Sequence, residues 1–150
     1  MRCFGFRLAS WLVIASLFAP VPMDAGEPTT KFNTRFFLKI ADELFSAVER
    51  ARYSITVESC RVGGVGNPSL VDYKVAHGRM HRYFPEENLK IDGAAFELAK
   101  TIRQAGTQLE LWCVSVAVQR SEEANRAMID YNNLILKATS MFRRYYQELK

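Results

Sequence analysis

The 150-residue sequence lacks most of the features that would indicate a function on their own. It has no strong charge bias, because 20 Lys and Arg residues stand against 16 Asp and Glu residues and the net charge is +4. A dedicated nucleic-acid-binding protein usually concentrates its basic residues on one stripe, so we do not expect nucleic acid as a partner. Internal repeats and low-complexity runs are also absent from the sequence.

A recognisable catalytic constellation is missing as well. Ser, His and Asp residues do not occur in a known triad spacing, and the neighbouring carboxylates Glu86 and Glu87 would be directed apart on a helix. The glycine-rich run at 63–66 is followed by neither Lys-Ser nor Lys-Thr, so it does not match a nucleotide-binding loop. We expect a flexible connection there, with an anion-binding nest of amides at Asn67 as the alternative. The sequence therefore predicts neither an enzyme nor a bound cofactor.

Long apolar runs are also scarce. The apolar run at residues 8–19 is shorter than the roughly 20 residues that a transmembrane helix needs. Two arginines precede this run, and two prolines follow it before the small pair Ala25 and Gly26. This order is typical of a secretory signal peptide that is cleaved after Ala25. We expect residues 1–25 to be removed and residues 26–150 to form one domain in the periplasm or outside the cell, without a transmembrane helix.

The mature chain shows a helical period through most of its length, with apolar residues three and four positions apart. The pattern predicts a first helix from about Phe36 to the glycines that begin at Gly63. A second helix starts at Asn67, which precedes Pro68 as an N-cap residue, and ends near Phe84 because Pro85 follows.

Two further helices follow, the third capped by Asp92 and the fourth preceded by a break near Arg120, with Ser121 as its cap. The fourth helix carries a seam that steps four and three residues throughout, as in a bundle or coiled coil. The residues of this seam are Ala124, Met128, Tyr131, Ile135, Ala138, Phe142, Tyr145 and Leu149. The sequence thus predicts an all-α, up-and-down bundle of about four helices.

Two segments also fit a different fold. Residues 53–62 and 108–118 are rich in β-branched residues, and Leu109, Leu111 and Cys113 alternate with polar neighbours. Strands at these positions would make the domain α+β. The helical period continues through both segments, and this continuity favours the all-α fold.

Cys60 and Cys113 are the only cysteines that remain after removal of the signal peptide. Exported proteins usually pair two such thiols. In an up-and-down bundle the first and third helices point the same way, which places both cysteines near one end. We therefore predict a disulfide between them, with two buried free thiols as the alternative.

His77 and His81 are the only histidines, and they stand four residues apart on the second predicted helix. This spacing directs both rings to one face, where they could clamp a metal ion. The glutamate of a zinc-protease helix is absent between them, and the sequence offers no further ligands. The stripe formed by Tyr73, His77, Met80 and Phe84 is explained more simply by packing against the bundle.

The C-terminal helix ends in aromatic and basic residues, of which Arg143, Arg144 and Tyr146 are candidates for binding a partner. With no catalytic signature, we expect an exported module that acts through protein contacts, such as an inhibitor, an immunity-type protein or an accessory of an envelope machine. The alternatives are a metal or small-ligand carrier that uses His77 and His81, and an envelope enzyme of unknown type. The sequence leaves the oligomeric state open.

Overall fold

The structure of the protein is a computed structural model that describes residues 32–63 and 66–148. The predicted signal peptide at residues 1–25 lies outside the described residues, as do two residues of the glycine-rich run and Leu149. Within the described residues every regular element is a helix. The all-α prediction is confirmed, and the α+β alternative is wrong, because residues 53–62 lie in two helices and their connection while 108–117 belong to one long helix.

Six α-helices follow one another in the described part of the chain. They are α1 (Thr34–Ser54), α2 (Val57–Gly63), α3 (Val71–Tyr83), α4 (Glu86–Leu89), α5 (Gly93–Ala117) and α6 (Ser121–Glu148). A short 3-10 turn, Pro68–Leu70, leads into α3. Over residues 32–63 and 66–148, no helix combines the length and apolarity that a bilayer crossing requires.

The first predicted helix is in fact two helices, α1 and α2. Ile55 is extended between them, with φ −80° and ψ 130°. The backbone N–H of Thr56 donates to Ser59 Oγ at 2.9 Å, and the N–H of Ser59 donates to Thr56 Oγ1 at 3.1 Å. This reciprocal pair is a capping box, which begins a new helix at the point where the apolar period continues.

Two other predicted caps, Asn67 and Asp92, are present. Ser121 is the first residue of α6 rather than its cap, and α4 has no counterpart among the predicted helices. Asn67 caps the 3-10 turn by accepting a hydrogen bond from the N–H of Ser69 at 2.8 Å. Asp92 caps α5 through Oδ1, which accepts from the N–H groups of Ala94 and Ala95. Satisfying these otherwise unpaired amides fixes where each helix begins.

The core lies between α1, α3 and α5, and α6 packs along α5. Its largest fully buried apolar side chains come from four of the helices and the 3-10 turn: Phe37, Leu44, Leu70, Met80, Leu89, Leu98, Ile102 and Leu109. On α6 the predicted seam faces inward, with Ala124, Tyr131, Ala138, Phe142 and Tyr145 buried. The helical period alone therefore identifies the buried side of α6.

The connection between α5 and α6 is short and tightly bonded. The N–H of Arg120 donates to the carbonyl of Ser115 at 2.8 Å, and the N–H of Gln119 donates to the carbonyl of Val116 at 3.1 Å. These two bonds form a Schellman motif, which requires a left-handed residue at its C′ position. Gln119 takes that conformation, with φ 60°. The predicted break near Arg120 is confirmed.

Candidate functional site

One end of the bundle contains a cluster of aromatic rings from the start of α1 and the end of α3. The rings of Phe37 and Phe84 lie 5.3 Å apart edge to face, and those of Phe36 and Tyr83 lie 5.3 Å apart edge to face. Phe32 contacts Phe84 at 5.7 Å between centroids. Such edge-to-face and tilted arrangements are the favourable geometries for aromatic pairs.

A groove opens over this cluster, and we refer to it as the aromatic groove. Its volume is about 420 Å³. Phe37 and Phe84 are buried beneath it, whereas Phe36, Tyr83 and Ile91 are 38%, 50% and 72% exposed. The groove is lined by Phe32, Asn33, Phe36, Tyr83, Phe84, Asn88 and Ile91. A cluster of large apolar side chains is therefore accessible to a ligand at this end.

Local sequence positions the walls of the aromatic groove. Asn33 caps α1 by accepting a hydrogen bond from the N–H of Phe36 at 3.0 Å, which fixes the first turn that carries Phe36 and Phe37. Pro85 disfavours helical geometry in the residue before it, so α3 ends at Tyr83 and Phe84 adopts φ −133° and ψ 75°. Asn33 thus fixes where the α1 wall of the groove begins, and Pro85 fixes where the α3 wall ends.

A hydrogen bond ties the end of α6 to the same end of the bundle. The Tyr145 hydroxyl donates to Asp92 Oδ2 at 2.7 Å, and its ring lies 6.2 Å from that of Phe37. Burial, followed by the bond and charge of Asp92, raises the pKa of Tyr145 above its usual value. The hydroxyl therefore stays protonated and acts as a donor, and Asp92 caps α5 and holds α6 at once.

The predicted cysteine pair lies away from the aromatic groove, next to the C-terminal part of α5. Cys60 on α2 and Cys113 on α5 are joined by a disulfide, with their Cα atoms 5.0 Å apart. This separation lies in the usual range for disulfides. The buried Asn67 side chain donates to Ser59 Oγ at 2.9 Å and to Cys113 Sγ at 3.8 Å. The Asn67 side chain therefore links α2 to α5 next to the disulfide.

The two histidines share α3, as the spacing predicts. His77 is half-buried and its ring lies 5.9 Å from that of Tyr73, while His81 is exposed. Burial, then the charges of Arg103 and His81, lower the pKa of His77, and Glu110 acts in the opposite direction. Among the described residues no group of three or more His, Cys, Asp or Glu side chains could hold a metal ion. Among the residues that the structure describes, His77 and His81 therefore gain no third metal ligand, which the metal-carrier hypothesis would need.

The candidate partner-binding residues near the C-terminus are all exposed on α6. Tyr146 stacks on the buried Phe142 at 6.3 Å between centroids. Arg144 borders a shallow cavity with Gly93 and Ala94 at the start of α5. Arg143 lies on the outward side of the helix. The three residues are accessible, but they do not line the aromatic groove.

The aromatic groove is not predicted from the sequence, because the apolar period of the first helix includes Phe36 and therefore places it on the side that faces the core. A signal was present in the tandem pairs Phe36–Phe37 and Tyr83–Phe84. Adjacent residues on a helix do not share a face, so one member of each pair is turned away from the core.

The chain was compared with protein-family models, with curated proteins and with solved structures, and it matches none of them.

Proposed function

We propose that this chain is an exported helical protein that acts by binding another protein through the aromatic groove. The observation that carries the proposal is the exposure of Phe36, Tyr83 and Ile91 around a groove with a buried aromatic floor. Aromatic residues are enriched in protein interfaces, and anchoring side chains usually fill such pockets. The partner would contribute one or two apolar side chains to the groove.

Several roles fit this mode of binding, among them an inhibitor, an immunity-type protein and an accessory of an envelope machine. In each of these roles, a folded domain would present the aromatic groove to its partner and would need no bound cofactor. The cap at Asn33 and the hydrogen bond between Tyr145 and Asp92 stabilise the shape of the aromatic groove. Because the groove is preformed, the protein loses little conformational entropy on binding, which favours specific recognition.

Photo-crosslinking in the native cell tests the proposal. A photoreactive phenylalanine analogue at position 83 should give a discrete adduct with one partner protein. The matched control is position 53, where Tyr53 is 85% exposed and does not line the groove. Replacing Phe36 and Ile91 together by Ala should abolish the adduct formed from position 83. Equal adducts from both positions, or none from position 83, would contradict the proposal.

Export is tested separately. If residues 1–25 are a signal peptide, the protein recovered from the periplasm or medium should begin near Gly26. Intact-mass measurement of the exported protein gives the answer directly. An exported chain that still carries Met1 would reject cleavage, and a chain found only in the cytoplasm would reject export.

A further inference from the structure

The outward side of α6 carries a second seam, opposite the buried one. Its members again step four and three residues: Glu122, Arg126, Ile129, Asn133, Leu136, Ser140 and Arg143. All seven are exposed, and the two aliphatic members, Ile129 and Leu136, are 60% and 70% exposed. Ile129 and Leu136 lie seven residues apart, so they occupy equivalent heptad positions, from which apolar side chains contact a partner helix in coiled coils.

Three members of this outward seam are charged: Glu122 and Arg126 lie in the N-terminal part of α6, and Arg143 lies near its C-terminal end. Asn133 is close to the middle of the helix. In an antiparallel pair of two α6 helices, Glu122 lies opposite Arg143 of the second copy. The same register places Ile129 opposite Leu136 of the second copy. A parallel pair would instead bring like charges together at both ends, which is unfavourable.

We infer that the outward seam of α6 pairs antiparallel with the same seam of a second copy of this chain, giving a two-fold symmetric homodimer. Such an interface is isologous, so each contact occurs twice. Asn133 lies beside the symmetry axis, where a single polar residue fixes the register of a helix pair. The inference uses a surface separate from the aromatic groove and does not depend on the proposed function.

Charge reversal provides a test specific to this geometry. Glu122 and Arg143 are about 30 Å apart along one helix, so they cannot meet within one chain. Glu122→Arg and Arg143→Glu should each weaken the dimer about tenfold, because each places like charges opposite one another at both ends. A mixture of the two variants should form heterodimers, since every opposed pair is then complementary. The double variant, with the charges exchanged, should dimerise about as well as the unmodified protein.

The measurement is sedimentation equilibrium of the protein purified after expression of the full chain. Leu136→Glu should abolish the dimer, while the circular dichroism spectrum and unfolding midpoint show that the monomer is folded. Val62→Glu is the control, because Val62 is 82% exposed on α2, away from the outward seam. A protein that remains monomeric would overturn the inference. A dimer that tolerates Leu136→Glu, or one that the exchanged charges do not restore, would overturn it as well.

Discussion

The ring of Tyr73 on α3 packs directly against Gly106 on α5. A Cβ atom at Gly106 would overlap the ring of Tyr73, whereas a Cβ at Gly78 on α3 would meet no atom within 4 Å. Gly106→Ala should therefore destabilise the protein by about 1–3 kcal/mol, since overpacking outweighs the gain in helix propensity. Gly78→Ala should stabilise it by about 1 kcal/mol. Urea unfolding of the two variants measures both effects, and equal shifts would contradict this account.

Titration of the buried Tyr131 makes the stability of the fold depend on pH. Burial, followed by the charge of Glu49, raises the pKa of Tyr131 to about 12 from its usual 10. The folded state thus holds this proton more tightly than the unfolded state, so its contribution is complete below pH 10 and is lost between pH 10 and 12. Tyr131→Phe should reduce the fall in stability over this range. Chemical denaturation of the two proteins over this pH range measures the difference.

The turn between α5 and α6 carries a conformational cost that one substitution can remove. Gln119 holds the left-handed C′ position, which costs a non-glycine residue about 1–2 kcal/mol. Gln119→Gly should raise the free energy of unfolding by about 1 kcal/mol after its larger entropy in the unfolded chain is deducted. Chemical denaturation measures the change. Gln119→Ala is the control and should give no such gain, because alanine is also disfavoured in this conformation.

The sequence is most informative where a side chain caps its own helix. Asn67 and Asp92 predict the starts of their helices correctly, because Asn and Asp side chains bond to amides two or three positions ahead. The break between α1 and α2 was missed, since the apolar period continues through Ile55 to Cys60. Its capping box uses Ser59 where the usual pattern has Glu or Gln, so the signal is weak. The tandem aromatic pairs indicate that one ring of each pair is turned away from the core, but the meeting of these rings in one groove depends on contacts between α1 and α3 that the local sequence does not reveal.

The two ends of the bundle are stabilised by different interactions. The aromatic groove lies where α1 begins, and it is closed by ring contacts and by the hydrogen bond between Tyr145 and Asp92. The disulfide lies beyond the other end of α1, about 30 Å away along a helix of 21 residues. Binding at the aromatic groove should therefore be separable from the redox state of the cysteines.

The disulfide ties α2 to the rest of the fold, and its reduction should have both a global and a local effect. Cys60 and Cys113 have a sequence separation of 53, so loss of the cross-link should lower the free energy of unfolding by about 4 kcal/mol in the chain-entropy treatment. An isolated helix as short as the seven-residue α2 is not stable in water, so its amides should exchange with solvent first after reduction. Trp112 adjoins Cys113, and its fluorescence should report the change. Denaturation and hydrogen exchange, each with and without reductant, measure the two effects.

The variant with both cysteines replaced by Ser is the control, and it should not respond to reductant. Labelling of two free thiols in the exported, denatured and unreduced protein would show that the cross-link is absent. If the amides of α2 remain as slow to exchange as those of α5 after reduction, then the cross-link is not what holds α2 in place. In the structure α5 is also held by its packing against α1 and α6, whereas α2 packs chiefly on α5. We therefore expect α2 to be released while the aromatic groove and its crosslinking from position 83 persist.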